Sequence, residues 1–509
     1  MSTAEKLNKR TNLLDLVKGL VEIADSELPI LHMAVTGIQM DSRLLRKGDL
    51  FIACFGRNHD ARNYVDQAIA VGSSAVLVES GSEWHGIEVR INVPIIAIDN
   101  LAAKVSEIGN RFYGKPSEKL NVIGITGTNG KTSCSQFIAQ SLFGLGYKCS
   151  VIGTLGYGLP GELKETTLTT PDALLTQKVL SEMVNTNIDN VAMEVSSVGL
   201  HQKRVFSVQF DTAIFTNLSR DHLDYHKSME NYAENKKELF TMPGLKAAII
   251  NLDDTFAVSI INSIASNVEV FTYSVNNKNA SVYAEELNFS RTGYDAKICT
   301  PIGKGKISGK LIGYFNFSNV LAAVAFLVHF SSQENNLDIA KICEKIANLQ
   351  PVEGRMEIIV DKSDVKVVVD YAHTPDSLKN ALTALNHHFR GKVWCVFGCG
   401  GNRDQGKRPM MGEIAEKYAD HLIVTDDNPR NEEGDNIVHH ILSGMNNQRA
   451  ASVIRDRAKA IAFAISNANP QDVVLIAGKG HETYQDISGI KNIFSDSKQA
   501  RLALQNRGS

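Results

Sequence analysis

Short apolar runs of strand length recur along the chain, each followed by a polar loop and then by apolar positions at helical spacing. Near the start the runs are "DLFIACFG" and "AVLVES". After the polar connector "KPSEKLN", the runs "VIGI", "VAMEV", "TAIFTNL" and "AAIINLDD" alternate with helical segments. From Pro351 onward "VKVVVDYA", "KVWCVFG", "HLIVTDD" and "DVVLIAG" repeat the arrangement. Strands alternating with helices predict parallel sheets wrapped by helices, an α/β chain. The pattern divides into residues 1–99, 100–348 and 349–509. The last four runs end in Gly, Asp or His, and ligands of open α/β sheets collect at the carboxyl ends of strands. Those ends are candidate site positions by placement alone.

A length of 509 residues is too great for one core and agrees with three domains. The 43% hydrophobic and 21% charged content is ordinary for a globular chain. A net charge of -3 offers no bulk attraction to nucleic acid or to an anionic membrane, and neither is expected as a partner. The opening "MSTAEKLNKRTNLLDLVKGL" lacks a continuous apolar signal core, and runs such as "VVLIAG" are too short to span a bilayer. Seven cysteines are scattered without a paired framework. Only Cys395 and Cys399 lie close together, and no His ligand set accompanies them. A reduced, cytoplasmic compartment is expected.

The stretch "NVIGITGTNGKTS" changes the picture. It resembles a phosphate loop but fails the usual four-residue spacing, with glycines at Gly124, Gly127 and Gly130. After Lys131 the apolar positions Cys134, Phe137, Ile138, Leu142 and Leu145 predict a helix. Strand, tight loop and helix form the context that a phosphate site requires. Loop amides and the first helical turn would face the phosphates, Lys131 would add a movable charge, and the Thr132 hydroxyl could hold magnesium. The bland alternative is a structural turn with a solvated lysine; Gly-Lys-Thr at a strand-to-helix junction favours the nucleotide. Glu194 ends the strand "VAMEV". Alone it reads as a cap or surface group, but beside a triphosphate loop it reads as a hard metal ligand. "SRDHLDYH" adds a second strand end rich in Asp and His; singly, His222 or His226 is a satisfied histidine.

"GITGTNGKTS" resembles the ATP loop of the Mur ligases and folylpolyglutamate synthetases, and the departure from the general spacing is that family's own signature. The resemblance runs from about Asp41 to Asp496. It implies three α/β domains: a UDP-binding N-terminal domain, a central P-loop ATPase-like parallel sheet and a C-terminal Rossmann-like domain that binds an amino acid. It implies ATP bound by Gly127, Thr128, Asn129, Gly130, Lys131, Thr132 and Ser133. Asn316 and Asn319 of "GYFNFSN" would lie near the adenine. Arg355 of "VEGRMEII" would reach over the nucleotide, and Asp370 and His373 of "VVVDYAHTPDSL" would lie by ribose and phosphates. Outside the resemblance, Asn316 and Asn319 are ordinary helix-start residues. Thr132, Glu194 and His222 would hold Mg2+. Lys236, ten residues beyond His226, would react with carbon dioxide to form a carbamate supporting a second magnesium, with Lys237 as its neighbouring competitor.

Within the family, "DSRLLRKGDLFIACFGRNHDARNY" resembles the UDP-binding domain, implying contacts from Met40, Ser42, Arg57, Asn58 and His59. Thr169 and Thr170 of "TLTTPD" would meet the muramoyl peptide, with Ser196, Gln202 and Arg204 at its acidic end. "GCGGNRDQGKRP", "TDDNPR" and "AGKGHETY" resemble the members that carry out the third addition. The implied substrates are UDP-N-acetylmuramoyl-L-alanyl-D-glutamate, meso-2,6-diaminopimelate and ATP, in peptidoglycan precursor synthesis, with a monomer implied. A guanidinium pairs with a carboxylate through two parallel hydrogen bonds. Arg430, supported by Arg403, would take the distal carboxylate of diaminopimelate. Asp427 and Glu482 would take its ammonium, with Asn428, Pro429 and Gly478 completing the pocket. Lysine lacks the distal carboxylate, and an unpaired buried arginine costs on the order of 3 to 5 kcal/mol. Taken alone, "DNPR" reads as an Asn-Pro turn with a solvated arginine. A folate polyglutamate ligase would share the central loop but lack the first domain and "DNPR". A nucleotide-binding scaffold without turnover is set aside by the intact set Lys131, Glu194, His222, Lys236 and Arg430.

Overall fold

A computed structural model describes residues 10–56, 59–333, 337–359 and 363–507. The chain builds three α/β sheets in sequence. Strands β1 (Gly37–Gln39), β2 (Asp49–Ala53), β3 (Ala75–Glu79), β4 (Ile87–Arg90) and β5 (Val93–Ile98) form the first, in the order β1-β2-β3-β5-β4. All of its pairings are parallel except the β4–β5 hairpin. Every residue of β2 and β5 is buried, which is why both read as continuous apolar runs. Helix α1 (Leu101–Tyr113) buries Leu101, Val105, Ile108 and Phe112, one face at helical spacing, in the first core.

The central sheet begins with β6 (Asn121–Thr126), the strand that leads into the glycine loop, followed by α2 (Lys131–Gly144). Then come β7 (Cys149–Gly153), β8 (Gly156–Gly158), α3 (Ala173–Asn185), β9 (Asn190–Glu194), α4 (Ser197–His201), β10 (Thr212–Phe215) and α5 (Met229–Lys237). Strands β11 (Ala247–Asn251), β12 (Glu269–Ser274), β13 (Val282–Ser290), β14 (Gly293–Thr300) and β15 (Gly303–Gly309) precede α6 (Tyr314–Ser331). The spatial order is β8-β7-β9-β6-β10-β11-β12-β13-β14-β15. The run from β7 to β13 is parallel, as the alternation predicts. At both edges the sheet is mixed: β8 is antiparallel to β7, and β13 to β15 form an antiparallel meander. These outer strands expose alternate residues to water, so they lack the continuous apolar runs that mark buried parallel strands.

Helix α6 is apolar on all sides because it runs through the central core beside α2. Over its 18 residues it is long and apolar enough to cross a membrane, but 78% of that window is buried inside the protein. The third sheet holds β16 (Glu357–Ile359), β17 (Lys366–Asp370), β18 (Val393–Phe397), β19 (His421–Val424), β20 (Ala451–Val453) and β21 (Val473–Ala477), in the order β16-β17-β21-β18-β19-β20. Apolar clusters cover both faces of the central and third sheets, as a doubly wound arrangement requires. A hairpin of β22 (Tyr484–Ile487) and β23 (Ile490–Ile493) and a final helix, α7 (Asp496–Arg507), complete the chain.

Candidate active site

β6 ends in a turn whose shape depends on two glycines. Gly127 has φ +147°, and a Cβ there would lie 1.9 Å from Thr216 Oγ1. Gly130, at φ +89°, starts α2 in a left-handed conformation, and a Cβ there would meet Asn319 Oδ1 at 2.4 Å. The end of β10 braces the loop. Thr216 Oγ1 and Asn217 Nδ2 both donate to Asn129 O, at 2.6 and 3.0 Å, and Thr128 N donates to Asn217 O at 2.8 Å. Lys131 curls back so that Nζ donates to the carbonyls of Gly127 and Thr128, each at 2.8 Å. Burial pulls its pKa below the usual lysine range, against the opposing charges of Glu194 and Asp221. A Gly127→Ala substitution must therefore reshape the loop, at about 1–3 kcal/mol of strain. ADP affinity should fall roughly tenfold to a hundredfold in calorimetric titration, with the melting temperature lowered by a few degrees; unaltered affinity would refute the strain argument.

Strand register places Glu194, the last residue of β9, opposite Ile125 of β6, directly beside the loop. It is 1% exposed and accepts from Thr132 Oγ1 at 3.1 Å, Thr154 N at 2.9 Å and Thr154 Oγ1 at 3.0 Å. Among the described residues it has no ion-pair partner. His222 follows β10 in a left-handed conformation, φ 55°, with Nε2 3.4 Å from Asp221 Oδ2. Its side chain opens onto the cleft, yet desolvation by the surrounding walls draws its pKa down to about 4, although Asp221 pulls upward, so the ring keeps a lone pair. Asp221 lies well below the usual carboxylate range: burial alone would raise it, but His373, His222 and Lys407 prevail. Lys236 is 1% exposed at the end of α5, and its Nζ donates to Gly127 O at 2.7 Å. Burial, together with the neighbouring Lys131 charge, drives its pKa well below the lysine range. Lys237 points away and pairs with Glu234 at 2.5 Å. No three His, Cys, Asp or Glu side chains converge as a metal site among the described residues.

The central and third sheets turn their strand ends toward one cleft of about 1300 Å³. On the central side Thr169, Ser196, Arg204 and His222 line it; on the other side His373, Arg403, Asp427, Asn428, Arg430, Gly478 and Glu482 do. Arg430, half-buried with φ 52°, donates from Nη1 to Gly401 O at 2.7 Å. Gly400 lies between Arg430 and Arg403: a Cβ there would meet Arg430 Nη1 at 2.9 Å and Arg403 Cγ at 3.7 Å. The Asn428 amide is engaged internally, donating to Glu482 and accepting from Lys479 and from Asp486 N. Arg408, fully buried, grips Glu432 with both terminal nitrogens and donates to Gly400 O, tying the two arginine-bearing loops together.

Among the described residues several contacts cross between the central and third regions around the loop, including His373 Nε2, 3.6 Å from Asp221 Oδ2. Arg355 Nη2 donates to Thr132 Oγ1 at 3.0 Å, and Asn129 Nδ2 to Asp376 Oδ2 at 3.0 Å. Arg220 grips Asp404 through bonds of 3.0 and 3.2 Å, and Lys407 Nζ lies 3.8 Å from Asp221 Oδ1. Gln202 and Arg204 bond to each other, and Arg204 Nη1 also donates to Thr170 O at 2.8 Å. Thr170 is buried behind Ser196.

Other predicted positions lie away from the cleft wall. Asp370 is buried and accepts from Met356 N at 2.7 Å, so its carboxylate braces the backbone. Asn316 donates to Ile312 O at 2.9 Å, and Asn319 sits against Gly130 and Cys134 in the first turns of α6. Met40 packs half-buried on the first core, Ser42 is buried at the start of a short turn, and His59 is exposed. Arg57 and Asn58 lie outside the described residues. Sequence reading passed over Asp221, Lys407 and Lys479. All three stand inside stretches it had marked, and the signal was a charged residue beside a glycine or histidine at a strand end.

The family model for the Mur ligase middle domain matches residues 125–327, and that for the Mur ligase, glutamate ligase domain matches residues 354–480. A protein of Coxiella burnetii, UDP-N-acetylmuramoyl-L-alanyl-D-glutamate--2,6-diaminopimelate ligase, is 44% identical over 474 residues, 92% of this chain and 96% of its own length. The protein of that name from Pseudomonas aeruginosa is 45% identical over 472 residues, 93% of this chain and 95% of its own. A solved structure bearing the same name superposes with a TM-score of 0.68 at 33% identity, covering 98% of this chain and 100% of that one. Mycobacterium tuberculosis folylpolyglutamate synthase shares the fold over 74% of this chain, at 16% identity and a TM-score of 0.61. Likeness of this extent, carried through both the glycine loop and the arginine-bearing cleft, means that the chain belongs to the Mur ligase family.

Proposed function

We infer that the chain is an ATP-dependent amide ligase that adds meso-2,6-diaminopimelate to the D-glutamate of UDP-N-acetylmuramoyl-L-alanyl-D-glutamate in peptidoglycan precursor synthesis. The observation that carries this reading is one cleft in which Thr154, Asp221 and His222 of the central region face a pocket setting Arg430 and Arg403 against Asp427 and Glu482, with the glycine loop joined to Thr154 behind that wall through Thr132 and Glu194. The long relatives named for this reaction support it. A folate ligase reading loses ground because the chain carries the five-stranded first domain and the "DNPR" loop. The reading extends to a cytoplasmic monomer with neither nucleic acid nor membrane as partner, in keeping with a net charge of -3.

In this reading the amides of Gly127 to Ser133 and the Lys131 ammonium hold the ATP phosphates, with Arg355 closing over Thr132 and His373 nearby. Asp370 shapes that wall from behind, and Asn316 and Asn319 border the adenine side. Met40, Ser42, Arg57, Asn58 and His59 hold the uridine diphosphate, while Thr169, Thr170, Ser196, Gln202 and Arg204 orient the muramoyl dipeptide. A side-chain carboxylate oxygen of D-glutamate attacks the γ-phosphorus, the bond to ADP breaks, and an acyl phosphate forms. The free amine of diaminopimelate then attacks the acyl carbon, loses a proton and expels phosphate. Glu194, an oxygen ligand with no cation partner among the described residues, and neutral His222 suit a magnesium site together with Thr132. Magnesium bound there supplies positive charge beside the phosphates. Lys236, its pKa drawn well below the lysine range by burial, suits carbamate formation: the lone pair of its deprotonated amine adds to the carbon of carbon dioxide and one N–H proton is released.

Phosphate release with the UDP-muramoyl dipeptide tests the reading. Meso-diaminopimelate should be used with a kcat/KM at least about a hundredfold above that of L-lysine. Equal use of the two amino acids would remove the basis of the assignment.

A further inference from the structure

Lys479 follows Gly478 just after β21 and is fully buried beneath the lining residues Gly478, Asp427 and Glu482 on the amino-acid side of the cleft. Its ammonium lies 2.8 Å from Glu482 Oε2, 3.0 Å from Asn428 Oδ1 and 4.0 Å from Asp427 Oδ1. Asn428 Nδ2 donates to the same Glu482 oxygen at 2.8 Å. Glu482 is therefore not an open carboxylate. One of its oxygens already holds a buried cation and an amide.

The surrounding groups leave this local charge unaltered. Arg457, beneath the same strand ends, is neutralised by Asp496 at 2.7 Å, both of them fully buried. Burial pushes the His481 imidazole down to about 3, so it adds no charge at neutral pH. Arg403, Arg430 and Lys491 also line the cleft; Lys491 Nζ lies over the Tyr484 ring, 4.2 Å from its centroid, and none of the three is within ion-pair distance of Asp427 or Glu482. The group of Lys479, Asp427 and Glu482 then holds two carboxylates and one ammonium, a net of one negative charge. Buried charges are tolerated when compensated, so such a group accepts one further cation.

We propose that Lys479 sets the charge of the amino-acid pocket: it neutralises Glu482, leaving one carboxylate charge, centred on Asp427, to receive the ammonium of the incoming amino acid. The inference rests on the reading of the cleft as a diamino-diacid pocket. Lys479 is a positioning and specificity-determining residue that acts through Glu482 and Asp427. Without it, two neighbouring carboxylates compete for one ammonium and repel each other. Removing Lys479 and Glu482 together restores the local net charge and leaves no orphaned partner.

Steady-state phosphate release by the wild type, K479M, E482Q and the double variant, with ATP and meso-diaminopimelate varied separately, tests this. Each single variant should raise the amino-acid KM about tenfold or more while the ATP KM stays within about twofold; the double variant should have an amino-acid KM at least about threefold below that of either single variant, although loss of Glu482 from the lining keeps it above wild type. A double variant as impaired as the worse single variant would overturn the proposal. So would a collapse of kcat in K479M at saturating amino acid, which would make Lys479 part of the reaction itself. Should K479M fail to fold, E482Q and the double variant decide by the same recovery. If the wild type releases no phosphate with meso-diaminopimelate, the substrate reading falls and this inference with it. Failed recovery in an active enzyme overturns the role of Lys479 alone.

Discussion

Lys131→Met is expected to lower ATP-dependent phosphate release by about a thousandfold, equivalent to roughly 4 kcal/mol of transition-state stabilisation. The lysine is the one ammonium wrapped on the loop carbonyls that also has the reach to follow a phosphate. Its Nζ sits 2.8 Å from both Gly127 O and Thr128 O, and a substrate oxygen can replace those carbonyls without new desolvation. The fold should survive, because Lys236 keeps a donor on Gly127 O at 2.7 Å. Lys236→Ala offers the contrast. If its function is carried by a carbamate, acetate or formate should restore part of the activity of Lys236→Ala and none of that of Lys131→Met. Retention of a tenth or more of wild-type activity in Lys131→Met would end the assignment of the loop as the phosphate site. Equal rescue of both variants would separate the effect from a carbamate.

The second large effect is expected at Arg430. Its guanidinium is half-buried and already donates to Gly401 O, so leaving it without a substrate carboxylate is less costly than the fully buried case suggests. A bidentate charged pair in this setting contributes about 3 kcal/mol, so Arg430→Met should reduce kcat/KM for meso-diaminopimelate on the order of a hundredfold. The loss should fall on KM, and discrimination against L-lysine should shrink, because the group that rewards the distal carboxylate is gone. Lysine kinetics decide the matter. If Arg430→Met loses lysine and diaminopimelate activity in equal measure, the arginine supports the loop and does not read the carboxylate. The brace between Arg408 and Glu432 gives a further check, because it leaves the loop in place when only the Arg430 side chain is removed.

Much of the central region was legible locally. The predicted helix after Lys131 runs from Lys131 to Gly144, with Cys134, Phe137, Ile138 and Leu142 in the core. The strands "VAMEV" and "TAIFTNL" are found as β9 and β10, and they bring Glu194 and Asn217 to the loop. The antiparallel meander from β13 to β15 was passed over because alternation with one wet face gives a weaker signal than a buried run. At the site, the resemblance of the strand-end loops to the Mur ligases pointed to Arg430, Asp427 and Glu482, but not to their partners.

Local period and turn chemistry therefore determined the α/β class and the glycine loop, while the set of charged candidates came from the likeness of the strand-end motifs to the family. The class and the loop depend only on short-range sterics and on which face of an element is apolar. Which of two adjacent lysines enters the loop was decided by the packing of α5, which buries Lys236 and leaves Lys237 with Glu234. Folding alone brought Arg355 to Thr132, 223 positions earlier, and Lys479 to Asp427, 52 positions earlier. Charge compensation depends on distance in space, and only the packed sheets set that distance.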